Sequence, residues 1–183
     1  MSLFEPALQY VLLREGGIEE NPNDPGGITN YGISLRTLKE TSQEQLRLYG
    51  IPVYVTADTI RDLTLQQVYA FYKGEFWDHA PFENIKNQDV TNYIFDACVN
   101  MGIAPGIKCA QRAYWAVIRN RNTLSDDGIL GDVTLEAINS TSSTFLLAAM
   151  RSERGGAYRL LALVKDDKSY LDGWLNRSYN KIT

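Results

Sequence analysis

The stretch Glu15–Ile33, EGGIEENPNDPGGITNYGI, stops any N-terminal helix early and makes the chain turn back on itself before residue 34. Two glycine pairs and two prolines fall inside it. Glycine breaks regular structure by its freedom to take positive φ, and proline by its missing N–H. Upstream, Phe4, Leu8, Val11 and Leu12 recur at helical spacing, and Ser2 with Glu5 three residues on has the form of a capping box. A helix with one buried face is therefore predicted up to Gly16. Downstream, residues 28–33 are too few for a helix and read as a short strand or extended turn that returns Thr29 and Tyr31 towards the helix end.

This layout puts Glu15 in the last helical turn, where the negative end of the macrodipole disfavours a second negative charge and favours the protonated acid. A carboxylic acid that keeps its proton can give it to a leaving-group oxygen, the requirement of general-acid catalysis. Asp24, between Asn23 and Pro25 and ahead of Gly26–Gly27, adds a second carboxylate on a loop that can be tight. Taken singly, each residue also has an ordinary role: Glu15 as a solvated helix end, Asp24 as a turn former, Thr29 as strand filler. Their joint occurrence gives the chemical reading its weight.

Glu15, Asp24 and Thr29, set in EGG…NDPGGITNYGI, resemble the signature of the N-acetylmuramidases of glycoside hydrolase family 108, and more distantly the Glu–Asp–Thr arrangement of phage-type lysozymes. The resemblance implies a mainly α, lysozyme-like fold with a small extended or β element near the active site and two closely packed lobes. It also implies hydrolysis of the β-1,4 bond between N-acetylmuramic acid and N-acetylglucosamine in peptidoglycan, with Glu15 as catalytic acid. Asp24 matches by position the second carboxylate and Thr29 the hydroxyl that together hold the attacking water. Asp24 would serve as base or nucleophile according to the carboxyl separation, roughly 6.5–9.5 Å for inversion and 5–5.5 Å for retention. A lytic transglycosylase needs the acid but not the second carboxylate. A non-catalytic wall-binding protein needs neither.

Further elements extend the pattern. Ser34 caps a predicted helix running towards Glu44 and Leu48, Thr56 opens a short one, and Thr64 with Gln67 forms a capping box for another towards Trp77. The aromatic cluster that follows is mostly core, although Trp77 has the apolar face and polar edge that stack on sugar, which makes it a candidate lining residue, and it resembles the YW or FW pair that follows this helix in the family. FDACVNMG resembles the family's FD…N.G element, which implies Asp96 and Asn100 at the substrate cleft; their spacing equally fits a cap or a buried hydrogen bond. Tyr31 is a further candidate at the substrate. Residues 125–139, SDDGILGDVTLEAIN, resemble a small peptidoglycan-binding repeat, with a turn at Asp126–Gly128, a close backbone approach at Gly131 and a helix cap at Asp132. The expected division is a catalytic region over 1–97 and a helical peptidoglycan-binding-like region over 98–183. Residues 144–164 read as one helix interrupted or kinked at Gly155–Gly156, with a last helix anchored on it by Trp174.

Composition removes other classes. A formal net charge of −4 argues against nucleic acid as partner, which demands clustered Lys and Arg. It also means that binding an anionic wall requires a local basic patch, for which Arg112–Arg121 is the candidate stretch. His79 is the only histidine, which argues against a histidine-dependent triad or a zinc site, and neither Asp-rich loop has the terminal Glu of an EF-hand. No metal or cofactor is expected. Cys98 and Cys109 are expected as free buried thiols. No apolar run approaches a membrane span, and the first residues lack the pattern of a secretory signal. The expectation is a monomer made in the cytoplasm, acting on peptidoglycan glycan strands after holin-type release, as phage endolysins do, or by another route without a signal peptide.

Overall fold

The computed structural model describes residues 1–20, 27–164, 168 and 170–179. The fold is mainly helical with a two-stranded antiparallel sheet, as expected, and it divides into two compact units. One comprises Leu8–His79, and the other comprises Met1–Ala7 together with the chain from Ala80 onward. Helix α1 (Phe4–Glu15) begins in one unit and ends in the other.

In the Leu8–His79 unit, β1 (Thr29–Asn30) and β2 (Ile33–Ser34) form a hairpin with Thr29 opposite Ser34 and Asn30 opposite Ile33. Tyr31 and Gly32 make its loop with φ of 52° and 77°, the positive pair that a type I′ turn requires. After Ser34, whose hydroxyl caps Thr37, the single predicted helix is broken in two, α2 (Leu35–Glu40) and α3 (Gln43–Leu48). Ser42 causes the break: its hydroxyl and the Gln45 side chain form a complete capping box, which starts a new helix more favourably than the old one can continue. Capping boxes at Thr56 and Thr64 start α4 (Ala57–Arg61) and α5 (Leu65–Glu75), and a 3-10 turn, Trp77–His79, closes the unit. Its buried residues include Val11, Ile33, Leu38, Ile60, Val68 and Phe71.

In the second unit the first residues are tied to distant ones. The Ser2 N–H and hydroxyl donate to the carbonyls of Glu83 and Ile85, at 2.9 and 2.7 Å. Helices α6 (Gln88–Met101), α7 (Ile103–Ile118), α8 (Asp132–Ser140), α9 (Ser143–Val164) and α10 (Leu171–Ser178) build the body, with α6 and α7 packed on each other and both on α9. Gly106 lies within α7. A methyl group there would lie 2.5 Å from the Cys98 backbone nitrogen, so α6 and α7 approach closely only because of this glycine. Cys98 and Cys109 are buried free thiols, and burial pushes both up from the ordinary thiol range. The close approach foreseen at Gly131 occurs instead at Gly128, where a methyl group would meet the Ala104 carbonyl at 2.8 Å, and Gly131, not Asp132, precedes α8 as its cap residue. Helix α9 runs unbroken through Gly155–Gly156, and Trp174 of α10 stacks on Tyr158 with ring centroids 5.5 Å apart. No helix among the described residues is long and apolar enough to cross a membrane.

Candidate active site

Glu15 is the last residue of α1, and Gly16 takes the left-handed conformation, φ 72°, that ends the helix. The hairpin loop comes back against this carboxylate. A methyl group on Gly32 would sit 2.6 Å from Glu15 Oε2 and 2.7 Å from its Cδ, so the backbone at Gly32 is in close contact with the acid. Three interactions hold the hairpin there. The buried Tyr72 hydroxyl donates to the Tyr31 carbonyl at 2.8 Å. The buried Asn30 side chain donates to the Ile60 carbonyl at 3.0 Å, fixing the strand to the end of α4. Thr29 and Glu19 exchange both backbone hydrogen bonds, each 2.9 Å, and so close the base of the segment that carries Asp24. Arg61 adds a bond to the Glu20 carboxylate at 2.7 Å, which lowers that group from the usual carboxylate range.

The structure thus brings Glu15 together with the Tyr31–Gly32 loop and places Thr29 on the adjoining strand, with partly exposed side chains on all three non-glycine residues. Asp24 lies outside the described residues. Trp77 is 7% exposed, within the buried set of the Leu8–His79 unit rather than on its surface. Gly32, Tyr72 and Asn30 were not singled out from sequence. The signal for the first was present in Asn30-Tyr31-Gly32 between apolar residues, a hairpin pattern with glycine at a positive-φ position. Tyr72 carried no signal, since nothing local links it to Tyr31.

The glycosyl hydrolase 108 family model matches residues 8–102, just over half of the chain, and covers the whole of this constellation. The chain belongs to glycosyl hydrolase family 108. A second family model, described as a predicted peptidoglycan domain, matches residues 105–179. The solved structure of SagA from Brucella abortus is similar to this family 108 chain with a TM-score of 0.71 at 22% identity, covering 97% of this chain and 90% of that one, a likeness of fold. No curated protein matches the chain. As a family 108 protein followed by a peptidoglycan domain, it is a glycoside hydrolase acting on peptidoglycan.

Asp96 and Asn100 of this hydrolase lie in the second unit, on α6. Asp96 is fully buried, and its carboxylate accepts from Arg154 Nη1 at 2.6 Å and from Arg177 Nη2 at 2.7 Å. Burial pulls Arg154 down, but the Asp96 charge beside it more than offsets this and holds the guanidinium above its usual range. Arg154 also donates to the Tyr158 hydroxyl at 2.7 Å, which in turn donates to Asn100 Oδ1. In this structure, therefore, Asp96 is the centre of an ion-pair network joining α6, α9 and α10, not a surface group facing a sugar. Asn100, at the outer end of that network, is exposed. Among the described residues no cluster of His, Cys, Asp or Glu could hold a metal ion.

Proposed function

We propose that the protein is an N-acetylmuramidase, cleaving the β-1,4 bond between N-acetylmuramic acid and N-acetylglucosamine, with Glu15 as the proton donor. The contact between the Glu15 carboxylate and the Gly32 backbone carries this reading, because it fixes an acid at a helix end beside a pinned loop. Glu15 gives its proton to the glycosidic oxygen as the C–O bond breaks. Asp24 serves as the partner carboxylate, either taking a proton from water or attacking the anomeric carbon, and Thr29 helps to place the water. Tyr31 and Asn100 remain available for contact with glycan. The region from residue 98 onward supplies wall affinity, and a single copy of the chain suffices for lysis, in an endolysin-type role at the wall.

The test is to incubate purified sacculi with wild type and Glu15→Gln in parallel and to identify the soluble fragments. Reducing N-acetylmuramic acid ends made by wild type alone, with wall binding of the variant retained, are expected. Anhydro ends would identify a lytic transglycosylase, and lysis by the variant at the wild-type rate would remove Glu15 from the mechanism. The anomer of fresh product separates the two roles of Asp24.

A further inference from the structure

The second unit carries a cavity of about 510 Å³ at the end of α7, within the range of roughly 300–1,000 Å³ in which small-ligand sites fall. Its lining includes Arg112, Arg119, Arg121, Trp115, Asp126 and Glu153, three arginines against two acids in a chain of formal net charge −4. The arginines are not equivalent. Arg112 is held by Asp126 at 2.8 Å, a pair that is half-exposed and neutralises both. Arg119 and Arg121 are exposed, and their side chains make no ion pair or hydrogen bond among the described residues. Glu153, half-buried on α9, is likewise without a hydrogen-bonding partner among the described residues. Trp115 is fixed: its indole N–H donates to the Leu124 carbonyl at 2.9 Å, so the ring is a rigid apolar surface whose polar edge is already satisfied.

Two unpaired guanidiniums, one unpaired carboxylate and a fixed indole form a complementary set. Guanidiniums bind carboxylates through paired, charge-assisted hydrogen bonds, the lone acid suits an ammonium, and the ring offers contact to methyl groups. A short acidic peptide with several carboxylates, one amino group and alanyl methyls has this chemistry. We propose that this cavity binds the peptide stem of peptidoglycan, so that the protein grips the wall by its peptides as well as by its glycan. The inference rests on the wall-directed reading above and gives that reading a second site, remote in sequence from Glu15.

The experiment uses the full chain with Glu15→Gln, which leaves the wall intact, and compares it with the same chain carrying Arg119→Glu and Arg121→Glu. Binding isotherms are measured on intact sacculi and on sacculi stripped of their stems by an amidase. The charge reversal is expected to weaken binding to intact sacculi about tenfold or more, as the loss of two charged contacts implies. On stripped glycan the two proteins should bind alike. Equal binding to intact sacculi overturns the proposal, and so does an equal loss on stripped glycan, which would assign the arginines to the glycan or to general charge attraction. Arg119→Lys with Arg121→Lys, which keeps the charge and loses the fork, should weaken binding by less than the reversal. Wild type run beside them on intact sacculi keeps the two readings apart: absence of reducing ends defeats the hydrolase reading, whereas cleavage with unaltered variant binding defeats only the stem site.

Discussion

Glu15 and Gly32 meet closely because Gly32 has no side chain and because its φ of 77° is one that glycine adopts without strain. An alanine at this position carries two separate penalties. The left-handed backbone costs an L-residue about 1–2 kcal/mol, and the added methyl must displace the Glu15 carboxyl. Gly32→Ala is therefore expected to lower unfolding free energy by about 1–2 kcal/mol and sacculus hydrolysis by much more, on the order of a hundredfold, since small misplacements of a catalytic group are costly. Thermal melts beside release of reducing ends check this, and a variant that loses stability but keeps full activity would show that Glu15 tolerates displacement. Tyr72→Phe probes the same loop from behind. It removes the 2.8 Å bond to the Tyr31 carbonyl, is expected to cost about 1 kcal/mol, and should reduce turnover less than Gly32→Ala because the glycine contact survives.

At the scale of elements, Asp96 joins three helices through two guanidiniums, and removing one partner of a buried pair leaves charge without compensation. Asp96→Asn is expected to destabilise the protein by about 3–5 kcal/mol while leaving hydrolysis per folded molecule nearly unchanged. A raised KM at unaltered melting temperature would instead restore the substrate contact that the FDACVNMG pattern implied. The same residue shows where sequence reading ends. Thr64 with Gln67, and Ser34 as a cap, are legible because a cap needs only residues within one turn, and α5 and α2 begin where those signals place them. Ser2 with Glu5 has the same form, and Ser2 also makes bonds with Glu83 and Ile85, which the local pattern cannot encode. Asp96 and Arg154 are 58 positions apart, so one sequence reveals a carboxylate and an arginine but not that they neutralise each other. For the candidate site, EGG…GITNYGI placed Glu15 at a helix end and a short strand or extended turn returning towards it, because glycine and loop chemistry are local, while the bond of Tyr72, 41 positions from Tyr31, was hidden for the same reason as that of Arg154.

The whole molecule carries a formal net charge of −4, and its substrate is itself anionic, so long-range and short-range electrostatics act in opposite directions. At low salt, with a screening length of about 30 Å at 0.01 M, the full charge of the protein is felt by the wall and repels it. Near 0.1 M the length falls to about 10 Å, which removes most of that repulsion while the stem contacts proposed for the cavity-lining Arg119 and Arg121 keep their attraction. Higher salt then weakens the exposed arginine contacts as well. Binding of the Glu15→Gln protein to intact sacculi is therefore expected to rise with ionic strength, pass through a maximum and fall. With Arg119→Glu and Arg121→Glu added, the repulsion is larger and the attractive contacts are gone, so binding should rise towards a plateau with no falling limb. A titration of bound fraction against salt for the two proteins checks both shapes. A fall in binding of the Glu15→Gln protein from the lowest salt onward would mean that attraction dominates at every distance, which two arginines on a net acidic chain cannot supply, and would require a larger cationic surface facing the wall.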